Sequence, residues 1–197
     1  MSDQKRPYRM QRRAELEEET RRRITESAVA LHEQVGPAQT SISAIAERAG
    51  VRRSTVYRHF PDEEALFAAC SAHWRALHPP PAPSAWSSTD DPAGRTRLAL
   101  RALYAFYAET EDMYVSLLRD EQLVPPVANR LRDFYGYLDA VRDDLAAGRG
   151  LRGRRAERVR AALGHALAFS TWRSLAREQG LRDEDAVELM CRLVEAA

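Results

Sequence analysis

Apolar residues recur at intervals of three and four along most of this chain, while β-branched residues never alternate cleanly over more than a few positions. The pattern predicts an all-α protein. Ile24, Ala28, Leu31 and Val35 form one stripe of a first helix over about 14–35. On its outer face Glu17, Glu18 and Glu19 each precede Arg21, Arg22 and Arg23 by four positions, the favourable acid-first pairing. Gly36-Pro37 ends that helix. Thr40-Ser41 then supplies N-cap chemistry for a short helix with Ile42, Ile45 and Ala49 on one side, closed by Gly50. A second short helix follows from Arg53 to Phe60, and Pro61-Asp62 starts a longer one over about 63–77.

Pro79, Pro80, Pro81 and Pro83, with the polar stretch that runs on to Pro92, cannot continue a helix, so a domain boundary is expected there. The chain is thus divided into a basic N-terminal tail (1–13), an N-terminal three-helix domain (14–62), a connecting helix (63–78), a Pro/Ser-rich linker (79–92) and a C-terminal helical domain (93–197). Within the last, helices are expected near 93–109, 112–121, 125–147, 155–178 and 183–196.

Composition narrows the class. Of 197 residues, 44% are hydrophobic and 30% charged, with a net charge of +1, which excludes a disordered chain. No apolar run approaches the roughly 20 residues of a membrane span, and the first residues have no apolar segment of a secretory signal, so no membrane association and a cytoplasmic location are expected. Cys70 and Cys191 are read as ordinary buried thiols. Charge is distributed unevenly: residues 1–60 hold twelve Lys/Arg against eight Asp/Glu, a net +4, and the remainder carries −3. A basic head of this kind suits a polyanion.

The two short helices give that head its chemistry. Ala46 and Ala49 permit close helix approach, Gly50 supplies the turn, and Val51, Val56 and Phe60 anchor the second helix, leaving its outer face free. Such a helix fits the major groove of DNA, although a merely solvated face is the simpler alternative. Arg53 suits a bidentate contact to guanine, worth about 1–3 kcal/mol of discrimination, and Thr55 or Tyr57 suits a thymine methyl or a phosphate. Ser41 and Ser43 are short donors for phosphate oxygens.

The run Ser43-Ala-Ile-Ala-Glu-Arg-Ala-Gly-Val-Arg-Arg-Ser-Thr-Val-Tyr-Arg-His-Phe-Pro-Asp-Glu-Glu-Ala-Leu-Phe67 resembles the DNA-binding signature of the TetR family of one-component bacterial transcriptional regulators. The resemblance implies an N-terminal helix-turn-helix domain and a C-terminal ligand-binding and dimerisation domain. It brings Ser41, Ser43, Arg52, Arg53, Ser54, Thr55, Tyr57, Arg58 and His59 to the operator, with Tyr57 and His59 on the groove-facing side. Arg52 stands where the family usually has a small capping residue, which loses a hydroxyl cap and brings a cation to the phosphates. Glu63 stands where a lysine is common; its carboxylate repels phosphate, so it is not a candidate contact. Lys5, Arg6, Arg9, Arg12 and Arg13 are read either as a flexible arm on the DNA or as a solvated tail.

The stretch 161–169 is small or apolar on nearly every side and is expected to be covered twice, once by its own domain and once by a second copy. Val159, Leu163, Ala166, Ser170, Val187, Met190, Leu193 and Val194 are the candidate interface of a homodimer, which two recognition helices reading a palindromic operator also require. The resemblance further implies an enclosed small-molecule effector, with Tyr107, Phe134, Tyr135, His165, Phe169 and Trp172 as candidate pocket residues. Such a lining favours a hydrophobic or aromatic ligand, and a plain aromatic core is the alternative. The expected function is a repressor released by that ligand, through the connecting helix as lever; a DNA-binding dimer with no effector is the rival. No cofactor or metal is expected, since Cys70 and His73 alone do not make a site. No Gly-rich phosphate loop, serine elbow or metal triad points to an enzyme.

Overall fold

In the computed structural model, which describes residues 5–197 with side chains from Met10 onward, helices alone build the chain and no strand occurs among the described residues. They are α1 (Lys5–Gln34), α2 (Ile42–Arg48), α3 (Arg53–His59), α4 (Glu63–Leu77), α5 (Pro92–Asp120), α6 (Pro125–Ala147), α7 (Gly153–Leu167), α8 (Phe169–Arg173) and α9 (Asp183–Ala196). Of the basic tail, residues 1–4 and the side chains of Lys5, Arg6 and Arg9 lie outside the described residues. From Lys5 onward the backbone is already helical, so α1 begins well before residue 14.

Two further boundaries differ from the sequence pattern. Glu111-Asp112 does not interrupt α5, because neither residue breaks a helix and the flanking Tyr107, Thr110, Met113 and Tyr114 keep one buried stripe. The helix expected over 155–178 is instead broken at Ala168, whose backbone is extended (φ −71°, ψ 137°). The break leaves carbonyls that the helix no longer satisfies, and two buried tyrosines of α5 take them: the Tyr104 hydroxyl donates to Ala166 O (2.9 Å) and that of Tyr107 to Leu167 O (2.6 Å). After α8 one wide π-type turn, Ser174–Glu178, completes the segment.

The chain folds as two units. One comprises the residues up to Leu77 together with Val115–Arg130; the other comprises His78–Tyr114 with Leu131–Ala197. The second domain therefore does not run unbroken from residue 93, since the end of α5 and the start of α6 belong with the helix-turn-helix. The proline-rich segment is no loose tether either. Trp86 is buried and its indole donates to Asp144 (2.9 Å), which also receives Arg95 (2.8 Å), while the Tyr137 hydroxyl donates to Pro81 O (2.7 Å).

In the first unit α1 packs on α2 and α4 through Ile24, Ala28, Ile45, Leu66, Cys70 and Trp74. Val35, expected on the buried stripe, is exposed. The turn after α1 is fixed by Asp120, whose buried carboxylate accepts the Ala38 N–H (2.9 Å) and pairs with Arg119 (2.8 Å); Arg119 also donates to Val35 O (2.9 Å). Gly36 makes this possible. Its φ is +88°, and a Cβ there would lie 2.6 Å from the Asp120 carboxylate.

In the second unit α7 and α9 pack through Val159, Leu163, Ala166, Val187, Met190 and Val194. No helix among the described residues is long and apolar enough to cross a membrane.

Candidate nucleic-acid interface

Ser41 caps α2, its Oγ accepting the Ala44 N–H (3.1 Å). Ala49 closes the helix, and Gly50 turns the chain with φ +65°, which carries it into α3 through a Val51 N–H to Ala46 O bond (2.9 Å). Val56 and Phe60, each about 1% exposed, hold α3 in the core; burying a side chain of this size contributes about 1.5–3 kcal/mol. Because Val56 and Phe60 are four apart, they use one stripe only. The remainder of the seven-residue helix presents Arg53, Ser54, Tyr57 and Arg58 to solvent, Tyr57 at 47% exposure, with Arg52 just before it and Ser41 and Ser43 exposed on α2. As expected from its side chain, Arg52 gives α3 no capping hydrogen bond.

Two of the candidate contacts sit differently. Thr55 is half-buried. His59, also half-buried, has its Nε2 enclosed without a hydrogen-bond partner, and burial, with Arg58 and Arg21 beside it, holds its pKa below the ordinary histidine value. It is a neutral ring turned partly inward, and Tyr57 is the more open of the pair.

Arg21 is a contact holding α3 that the sequence pattern did not reveal. It does not continue the Glu17 pairing: its Nη1 donates to His59 O (2.8 Å), the terminal carbonyl of α3, and its guanidinium lies 4.3 Å from the centre of the Phe60 ring. A cation there complements the helix C-terminus and fixes α3 against α1. None of the three predicted acid-first pairs forms among the described residues. Arg22 takes Glu19 (2.8 Å) and Glu26 (2.6 Å), and Glu17 takes Arg13 (3.3 Å). Nothing in the sequence pattern separates Arg21 from Arg22 except that position 21 adjoins the buried stripe.

In the second unit the candidate effector residues divide into two sets. Tyr107, Phe134, Phe169 and Trp172 are brought together with Phe106 and Tyr114, ring centres 4.7–6.4 Å apart, Tyr107 meeting Phe169 edge-on at 5.2 Å. The Trp172 indole donates to Asp183 (3.0 Å) and Arg177 lies 4.7 Å over its ring. Burial keeps the Tyr107 hydroxyl protonated. By contrast Tyr135 and His165 face outward, His165 within 3.4 Å of the Thr171 hydroxyl. The six do not line one site.

The candidate interface residues divide likewise. Val159, Leu163, Ala166, Val187, Met190 and Val194 are buried inside the protomer, where α7 meets α9; Ser170 and Leu193 remain exposed. The outward face of α9 carries Leu189 and Leu193, 44% and 42% exposed, and that of α7 carries Ala161 and His165. The period of 3.6 gave both helices apolar residues on two sides, and the side richer in large residues went inward.

Cys70 is a packed thiol, pushed up to about 12 by burial, with its sulfur 3.8 Å from Thr25 O. Among the described residues no group of three or more His, Cys, Asp or Glu side chains is placed to hold a metal ion.

Residues 24–70 match the family model described as bacterial regulatory proteins, tetR family. Among solved structures the chain is similar to a TetR-like transcriptional regulator from Rhodococcus sp. RHA1, with TM-score 0.66 and 19% identity over 89% of this chain and 93% of that one. It is also similar to the fatty acid degradation regulator FadR from Bacillus halodurans (TM-score 0.56, 16% identity, 88% and 93% covered). A third likeness is to the multidrug binding protein EbrR complexed with imidazole (TM-score 0.54, 23% identity, 89% of each chain covered). A search of curated protein sequences returns no match.

Proposed function

We propose, from the match of residues 24–70 to the tetR family model and from a fold shared with TetR-like regulators, that the chain is a homodimeric repressor that reads a palindromic operator and leaves it when a small apolar molecule binds. The observation that carries the DNA half is α3. Its two large apolar residues are spent on the core while Arg53, Ser54, Tyr57 and Arg58 stand free on one outer surface. Arg53 and Tyr57 read bases, and Arg52, Arg58, Ser41 and Ser43 hold phosphates.

A single recognition helix of two turns is a short reader, and two-fold pairing doubles its contacts and sets their spacing. Leu189 and Leu193 of α9, with Ala161 and His165 of α7, form the face proposed to meet the second copy. Leu193→Arg, charged on that face and remote from the protomer core, is expected to yield monomers by light scattering with the helical signal retained.

The effector half rests on the aromatic cluster and on the neighbours that bind drugs or regulate fatty acid degradation. A ligand entering between Tyr107, Phe134, Phe169 and Trp172 favours one arrangement of the second unit. Through α4 and the shared α5, it biases the spacing of the recognition helices; coupling is reciprocal, so DNA weakens ligand equally. The rival reading, a dimer with no effector, is favoured by one observation: the rings pack on one another and the Tyr107 hydroxyl is already satisfied. A compound that raises the melting temperature and lowers DNA affinity in parallel selects the first reading; one that does the former without the latter counts against it.

A further inference from the structure

The first unit contains a cleft of about 480 Å³ that the reading above does not use. It lies within that unit alone, walled by the turn after α1, by α2 and α3, by the start of α4 and by the α5–α6 connection. Its inner wall is apolar, with Ile45, Leu66, Phe67, Val124 and Pro125. Arg53 and Tyr57 of the recognition helix, with Ser41 and Ser43, line it as well.

A second observation gives the cleft chemistry. His32 lines it, is only 5% exposed, and stacks on Phe67 with ring centres 4.8 Å apart. A largely buried imidazole on an otherwise apolar wall gives the cleft one polar anchor. Burial holds the imidazole neutral, pulled down to about 4, so it offers one donor and one acceptor. Arg53 and Glu63, the two ionised side chains of the lining, offset each other. The volume is that of a small-ligand site.

We infer that this cleft binds an uncharged, ring-sized molecule bearing one hydroxyl, with its apolar body against Phe67 and Leu66 and its hydroxyl on His32, and that its occupancy excludes DNA locally. A molecule seated there holds Arg53 and Tyr57 against the cleft and away from the groove, so release needs no signal from the second unit. The exclusion of DNA rests on the DNA-contact reading; the binding itself does not.

The test is a titration of the full chain, with isoleucine methyls 13C-labelled, by phenol and cyclohexanol, and by benzoate and benzylamine as charged counterparts. Ile42 and Ile45 line the cleft and report occupancy. Saturable shifts at both with phenol or cyclohexanol are expected, and weaker ones with the charged pair. His32→Phe keeps the stack but removes the hydrogen bond, and Ala38→Leu fills the mouth from an exposed position; each is expected to weaken binding about tenfold. Cooperative thermal unfolding verifies that both variants are folded. No saturable shift with any probe, or equal affinity in both folded variants, overturns the site. With a duplex recovered by selection, saturating probe is expected to weaken DNA binding and DNA to weaken probe binding equally; independent affinities overturn the exclusion. If selection recovers no duplex, the DNA reading fails while the methyl titration still decides the cleft.

Discussion

The helix-turn-helix unit and the second unit use the same helical pattern to opposite ends. In the first, the core takes apolar residues such as Ala28, Ala46, Val56 and Phe60, and the long polar side chains of α3 are left outside. In the second, the largest side chains turn inward: Tyr104, Tyr107 and Trp172 are fully buried, and their polar atoms are spent on Ala166 O, Leu167 O and Asp183. The first unit thus exposes its chemistry and the second encloses it. Substitution of an outward residue on α3 should change binding and spare stability, whereas substitution in the aromatic cluster should do the reverse.

The largest effect is expected from Trp172→Ala. Removing a buried indole costs about 3–5 kcal/mol of stability by denaturant unfolding, and a loss under 1 kcal/mol would mean that the cluster is loosely packed. Next comes pH. His32 is held near 4 in the folded chain against an ordinary 6.5, so the unfolded chain binds the extra proton between those values and stability falls as pH drops from 6.5 toward 4. The loss approaches about 3 kcal/mol. Asp120, held below the ordinary carboxylate range by Arg119, adds a loss of the same sign at lower pH. In His32→Phe the upper part of this pH dependence should vanish, which separates the two groups.

Arg53→Ala is expected to cost about 1–3 kcal/mol of DNA affinity and to relax one base position, with stability unchanged within about 0.5 kcal/mol. Equal losses in both would break the contrast between the units. The smallest effect sharpens it. Arg21→Met removes the bond to His59 O and the contact with Phe60, and should cost about 1 kcal/mol of stability together with a modest, sequence-independent loss of DNA affinity.

How legible each unit was in the sequence follows from the same contrast. The helix-turn-helix could be read because several signals agree over a few residues: a serine cap, close-packing alanines, a left-handed glycine, two anchors four apart and a polar remainder. Its tertiary clamps were not readable. Arg21 looks like Arg22, and nothing near Asp120 announces that it will hold the Ala38 N–H across eighty-two positions of sequence. In the second unit periodicity predicts where α6 and α9 lie, but an apolar stripe does not say which neighbour covers it. Val159, Leu163, Val187 and Met190 therefore read as an interface, whereas within the protomer they are buried on α7 and α9, which pack together. The break at Ala168 was hidden because alanine favours a helix; the tyrosines that receive its freed carbonyls lie about sixty positions away.

The central claim is that α3 reads DNA sequence, and the most direct measurement is selection of the purified chain on random duplex DNA, with Arg53→Ala and Tyr57→Phe in parallel. The account predicts recovery of one palindrome, bound more weakly by Arg53→Ala and with relaxed preference at a symmetric pair of positions. Binding that is equal for all sequences and disappears with added salt, in the parent chain as in both variants, would contradict it.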